Sequence, residues 1–256
     1  MRDKNYIRID NDWLFNVTGD EHPEEHVYAS LKYHEGQKWT QGYNAAVDFL
    51  REHEPSFIDA DGYISVPRHR ISEVLDPFDR WHALLRQPHR SALHQEAVDL
   101  ASKLTEILGL NDFGITDSLL WGDGRADSDI DLVVRGRRNA KLFFAKAAVL
   151  YQDPEFDRPA PDRLHPPSGT NVPNWPDLLQ RKLHMGCFRG RFFSLRVVLA
   201  NDELELHPWR STGRRDQLHF RIADSADSLL FPCIYRNEQG DELVDYSVVF
   251  EGVFRP

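Results

Sequence analysis

Two cysteines, Cys187 and Cys233, are all that the 256 residues contain. They lie far apart, with no Cys/His spacing of the kind that holds zinc, so both read as reduced core or near-surface thiols rather than a bridge or a metal knot. Long apolar runs are missing as well. No stretch approaches the roughly 18 residues of a membrane span, and no membrane partner is expected. The opening Met-Arg-Asp-Lys-Asn-Tyr has no apolar segment of the secretory kind, which makes the cytoplasm the expected compartment. Nor is there an excess of positive charge. A formal net charge of −10 excludes coating nucleic acid by bulk electrostatics, because neutralising phosphates takes concentrated Lys and Arg. Internal repeats and low-complexity segments are absent too. What remains is ordinary globular composition, 41% hydrophobic and 28% charged, in a chain long enough for two modest domains.

The informative stretch runs from Gly114 to Arg135. Asp129 and Asp131 alternate with Ile130, Leu132 and Val134, so a strand here carries both carboxylates on one face and the aliphatics on the other. Two acids on one face attract a cation. Upstream, Ser118 and Gly122 follow the short apolar piece Phe113 to Ile115 and are placed to open a helix whose free N–H groups face an anion. An anion site beside paired carboxylates is what a nucleoside triphosphate with Mg²⁺ requires. The plainer reading of the same residues is that Ser118 is a helix cap and the two Asp are remnants of an older site.

The pattern Ser118, Gly122, then Ser128-Asp129-Ile130-Asp131-Leu132 resembles the signature of the nucleotidyltransferase superfamily related to DNA polymerase beta. In particular it is similar to a group of predicted archaeal and bacterial nucleotidyltransferases that carry Gly-Ile-Thr-Gly-Ser ahead of a Ser-Asp-Ile-Asp-Leu strand. Less specific similarity to that group lies in His22-Pro23 with Leu31-Lys32-Tyr33, in Ile64 to Pro77, in Phe231 to Tyr235 and in Tyr246 to Phe254. One position departs from the pattern. Asp117 stands where the family has glycine before the serine, adding a Cβ and a negative charge toward the phosphates.

The resemblance implies an α+β fold: a nucleotidyltransferase-like mixed sheet with flanking helices, plus a mostly β accessory domain. It implies Mg²⁺ or Mn²⁺ on Asp129 and Asp131, an NTP held by Ser118 and Gly122, and Arg189 or Arg191 neutralising the leaving pyrophosphate. The activity implied is transfer of an NMP to an acceptor hydroxyl on an RNA end, a protein or a small molecule. The alternative is a catalytically degenerate nucleotidyltransferase-fold protein that serves as a nucleic-acid or protein binding module. Asp117 favours that alternative, and so does the strand from Arg191 to Ala200, which bears no third carboxylate. Either Ser194 or Arg196 takes that place, or one of Asp202, Glu203 and Glu205 beyond the strand completes the site.

Along the chain, residues 5–16 read as a hairpin around Asp10-Asn11-Asp12, Val27 to Tyr33 as a third strand, and Asn44 to His53 as a short amphipathic helix. A strand pair is expected around Asp61-Gly62, a helical turn at Ile71 to Leu75, and a connecting helix within residues 78–90. Ser91 caps a helix that runs to Gly109, and Asn139 to Tyr151 forms another. Seven of the fifteen prolines fall between Gln152 and Pro176, which marks a loop or lid. Helical spacing resumes from Leu178 to Met185. Short β segments are expected at Leu204 to Leu206, Gln217 to Ile222, Leu229 to Tyr235 and Glu242 to Phe250, with a turn at Gln239 to Asp241. The expected organisation is an accessory α+β region at 1–88, a core at 89–202, and a C-terminal β region at 203–256 packed with 1–88. Arg181, Lys182, His184, Arg189, Arg191 and Arg196, with Arg135, Arg137, Arg138 and Lys141, make either a local nucleic-acid contact or a solvated basic face.

Overall fold

Alternation of apolar and polar residues builds the first sheet. In the computed structural model, which describes residues 1–10, 13–122, 124–159, 175, 177, 181–204, 221–230, 233–238 and 246–249, β1 (Tyr6–Ile9) and β2 (Trp13–Val17) pair antiparallel as the hairpin pattern predicts. The next strand, β3 (His26–His34), buries Val27, Ala29 and Leu31 on one face and continues into the short β4 (Gln37–Lys38). Helix α1 (Tyr43–His53) lays Ala46, Val47 and Leu50 on this sheet, and Phe57 and Ile64 complete the core beneath it. β5 (Ser65–Pro67) pairs with β3.

Residues 71–75 differ from expectation. They form a strand, β6 (Ile71–Leu75), rather than a helical turn, with Tyr6 opposite Leu75 and Ile7 opposite Val74. The reason is long-range: without β6 the inner strand β1 would expose an unpaired edge, and extended Ile71 and Val74 suit the pleat. The sheet order is β4-β3-β2-β1-β6.

The second layer begins at Asp76. Its carboxylate accepts the N–H groups of Phe78 and Asp79 and so caps α2 (Pro77–Arg86), with proline at the first position where its missing N–H costs nothing. Helix α3 (Ala92–Leu108) has Ser91 as its cap, ends at left-handed Gly109, and buries Leu93, Ala97, Leu100, Ala101, Leu104 and Leu108 along one stripe. Then follow β7 (Phe113–Ile115), α4 (Ser118–Trp121), β8 (Ile130–Arg135), α5 (Arg137–Leu150), β9 (Phe156–Asp157), β10 (Met185–Phe188) and β11 (Arg191–Val198). The sheet runs β7-β8-β11-β10-β9, with β8 and β11 parallel and the other pairs antiparallel. Leu100 and Leu104 from α3, Phe143 and Ala147 from α5, and Leu132, Val134 and Phe193 from the sheet share one core. Each such fully buried large aliphatic or aromatic side chain contributes about 1.5–3 kcal/mol.

Helix α2 crosses the β7 edge: Phe78 meets Val133 and Val198 on one face, while Trp81 and Leu84 reach the shared core on the other. The helix within residues 78–90 thus already belongs to the second layer.

The C-terminal strands β12 (Ile222–Asp227), β13 (Cys233–Asn237) and β14 (Tyr246–Val249) form a separate antiparallel sheet in that order. The sequence reading packs this region with residues 1–88. Among the described residues Asp227 pairs with Arg137 at the start of α5, and Leu229 and Leu230 enter the shared core. Expectations for most of 160–180, for 205–220 and for 239–245 fall outside the described residues. The described chain is thus α+β, and none of its described helices is long and apolar enough to cross a membrane.

Gly114 lets α2 sit against the sheet. A Cβ there would lie 2.8 Å from Val133 Cγ2 and 3.0 Å from the Pro77 carbonyl carbon. Gly114→Ala is expected to destabilise the fold by about 1–3 kcal/mol, read as a lower urea midpoint with an unchanged slope.

Candidate functional site

The second sheet turns two different faces to its neighbours. Ile130, Leu132 and Val134 of β8 are fully buried on the α3/α5 side. By alternation Asp131 and Val133 face the other way, and Asp129, just before the strand, follows them. On one flank, Thr116 donates its N–H to the Asp131 carbonyl at 3.0 Å; on the other, Ser194 is the register partner of Asp131. Thr116, Asp131 and Ser194 therefore form a row of oxygen-bearing side chains across three strands. Ser194 Oγ donates to Asp131 Oδ1 at 2.5 Å.

The first sheet lies over this row. Tyr6, Leu14, Tyr33 and Leu75 pack on Leu120 and Trp121, with the Tyr33 and Trp121 rings 4.5 Å apart between centroids. The buried Tyr6 hydroxyl donates to Asp117 Oδ1 at 2.6 Å. Asp117 has φ 52° and ψ −133°, a backbone conformation that suits glycine and strains a residue with a Cβ.

Electrostatics divides the acids. Burial pushes the Asp117 carboxyl up, but Lys32, the Tyr6 hydroxyl, Lys4 and Arg196 outweigh it and hold the group below the usual carboxylate range. Asp131 goes the other way, to about 7: burial is the main cause, the Asp117 charge adds to it, and the Ser194 hydrogen bond and Arg196 only partly oppose them. Asp129 contributes further repulsion. Burial and the Asp117 charge also raise the Tyr6 phenol well above its ordinary value.

The residues singled out in the sequence have different fates. Asp131 and Asp129 share a face, with Asp129 exposed. Ser118 is the half-exposed first residue of α4, and Gly122 closes that turn by donating its N–H to the Ser118 carbonyl at 3.2 Å. Gly122 is extended, and a Cβ there would make only an ordinary contact, 3.7 Å from the Ser118 carbonyl oxygen, so its backbone does not require glycine. Arg189, in the β10–β11 turn, is held by Glu155 and Asp99. Arg191 pairs with Glu96 and donates to the carbonyls of Ala126 and Ser128, which pins the loop ahead of Asp129. Both arginines are thus committed to protein partners.

Ser194, rather than Arg196, stands directly beside Asp131. Glu203 is used elsewhere, accepting the Arg137 N–H at the start of α5. The basic cluster is largely consumed by the fold: Lys182 and His184 are buried, and Arg137 pairs with Asp227. Sequence reasoning missed Tyr6, Lys4, Lys32 and Thr116 as neighbours of the acids. Nothing local marks Tyr6, whose partner lies 111 residues away.

Among the described residues no three His, Cys, Asp or Glu side chains converge to hold a metal by themselves. Two aspartates nevertheless suit Mg²⁺, a hard ion commonly held by one or two carboxylates with water and phosphate oxygens completing its shell. The chain matches no family model, and no curated protein or solved structure matches it significantly. The chemistry must be read from the geometry.

Asp131 makes a testable mark on stability. An acid raised from its ordinary 3.8 to about 7 by folding stabilises the native state below the lower value, and that contribution is lost as pH rises through the higher one. In metal-free buffer, the stability of the wild type relative to Asp131→Asn should therefore fall between about pH 4 and 7. Parallel melting-temperature curves for the two proteins would show that no such shift exists.

Proposed function

We propose that the chain is a nucleotidyltransferase of the DNA polymerase beta type, moving an NMP from an NTP to an acceptor hydroxyl in the cytoplasm. The observation that carries this reading is the pair Asp129 and Asp131 on one face of β8, beside the turn that Ser118 opens and parallel to the strand bearing Ser194. In this reading Asp129 and Asp131 hold Mg²⁺ or Mn²⁺, which when bound neutralises phosphate charge and favours ionisation of the attacking hydroxyl. Ser118 Oγ and the adjoining amides donate hydrogen bonds to phosphate oxygens. The acceptor oxygen forms a bond to the α-phosphorus, the bond from that phosphorus to the bridging oxygen breaks, and pyrophosphate leaves. Lys32, Lys4 and Arg196, the cations gathered near Asp117, add to the positive charge that the sequence reading assigns to Arg189 and Arg191. RNA ends, protein hydroxyls and small molecules all remain within this acceptor class.

A second reading has its own support. Asp117 places a carboxylate where phosphates would approach, and Ser194 replaces a third acid beside Asp131. A degenerate site of that kind suits a module that binds nucleic acid or a protein without transfer.

Melting each NTP with the protein, with and without Mg²⁺ or Mn²⁺, separates the two. A transferase should gain roughly 5 °C when ligand exceeds its Kd a hundredfold, and Asp129→Ala should lose both that shift and transfer of a labelled nucleotide. If neither the wild type nor Asp117→Gly responds to any NTP with metal, the enzyme reading fails and the binding module takes its place.

A further inference from the structure

Thr116 is 1% exposed, and its Oγ1 is buried without a hydrogen-bond partner. A hydroxyl can donate once and accept twice, and leaving one unsatisfied in the interior costs about 1–3 kcal/mol. Its direction follows from register. Ile115 and Leu132 are paired and both face the shared core, so the next pair, Thr116 and Asp131, faces the seam under the first sheet.

The two nearest acids are each fixed through one oxygen. Asp117 Oδ1 receives the Tyr6 hydroxyl, and Asp131 Oδ1 receives that of Ser194. Their second oxygens, Oδ2 in both, take no hydrogen bond among the described residues. One unpartnered hydroxyl and two carboxylates that feel each other's charge therefore sit on neighbouring backbone positions, where two strands and a turn meet. Tyr6 and Ser194 fix one oxygen of each carboxylate while Asp117 and Asp131 both stay partly exposed, so a cation can reach them. Hard oxygen donors held in this way are what a small divalent cation takes as ligands.

We propose that Asp117 and Asp131, with the Thr116 hydroxyl acting directly or through a bound water, bind a divalent cation of the Mg²⁺ or Mn²⁺ class. Asp117 is then a ligand and not an obstacle to the phosphates. The proposal rests on the transferase reading for the role of Asp131, and goes beyond it by drawing the additional carboxylate from the turn before α4 instead of from β11. It also explains why a strained Asp occupies a position built for glycine: the carboxylate is needed there.

The test uses the full chain and Mn²⁺ alone, with no nucleotide, following free Mn²⁺ by electron paramagnetic resonance and the melting temperature in parallel. Asp117→Asn keeps an acceptor for Tyr6 and should weaken Mn²⁺ binding by about tenfold or more. Thr116→Val, nearly isosteric, should weaken it severalfold while leaving the metal-free melting temperature unchanged or higher, since an unpaired buried hydroxyl is removed. If Asp117→Asn binds Mn²⁺ as well as or better than the wild type while Asp129→Asn and Asp131→Asn lose it, this proposal falls and the transferase reading stands. Absence of Mn²⁺ binding by the wild type at millimolar concentration would overturn this proposal, whereas the transferase reading is decided by melting with nucleotide and metal together. Should Asp117→Asn not fold, unchanged affinity in Thr116→Val overturns the proposal by itself.

Discussion

A half-buried carboxylate on the inner strand β8 is the constraint to which the rest of the structure answers. One face of β8 must be aliphatic to join α3 and α5, and period two then forces Asp131 onto the other. That other face is only partly open to water, because the first sheet packs against the neighbouring α4 turn through Tyr6, Leu14, Tyr33 and Leu75. Burying an ionised carboxyl without compensation is costly. The Ser194 hydroxyl and the Arg196 charge offset part of that cost, and proton uptake near neutral pH offsets more.

The seam between the sheets is held by opposing terms of similar size. The backbone of Asp117 stores about 1–3 kcal/mol of strain. Its hydrogen bond from Tyr6, with an ionised acceptor, returns roughly 1.5–3 kcal/mol, and the Tyr33–Trp121 ring contact adds about 0.5–1.5 kcal/mol. The first sheet and the α4 turn are thus coupled through the Tyr6–Asp117 hydrogen bond and the Tyr33–Trp121 ring contact.

Ion pairs have a different role. Arg189 with Asp99 and Glu155, and Lys103 with Asp153 and Glu155, are partly exposed and contribute little to stability. Arg191 is more consequential, because beyond its Glu96 partner it grips two carbonyls of the loop that delivers Asp129. Its value is positional: loops are the least constrained part of a fold, and this one carries a candidate ligand.

Local physics was legible in the residues themselves. The alternation of Asp129 and Asp131 with Ile130, Leu132 and Val134, the Ser91 cap and Gly109 stop of α3, and the Tyr6–Val17 hairpin each follow from periods and caps that a few neighbouring residues encode. Residues 71–75 could not be read in that way. Their five side chains permit a turn or a strand, and only the open edge of β1, more than sixty positions away, decides between them. The same holds for Arg189 and Arg191, whose charge promised a phosphate site until Glu155, Asp99 and Glu96 met them in space. Asp117 is the sharpest case: the sequence determined that a charged residue stands ahead of Ser118, but only the tertiary structure decided where its carboxylate points. Side-chain direction at a positive φ depends on which groups the distant strand β1 brings opposite, and no local pattern records that choice.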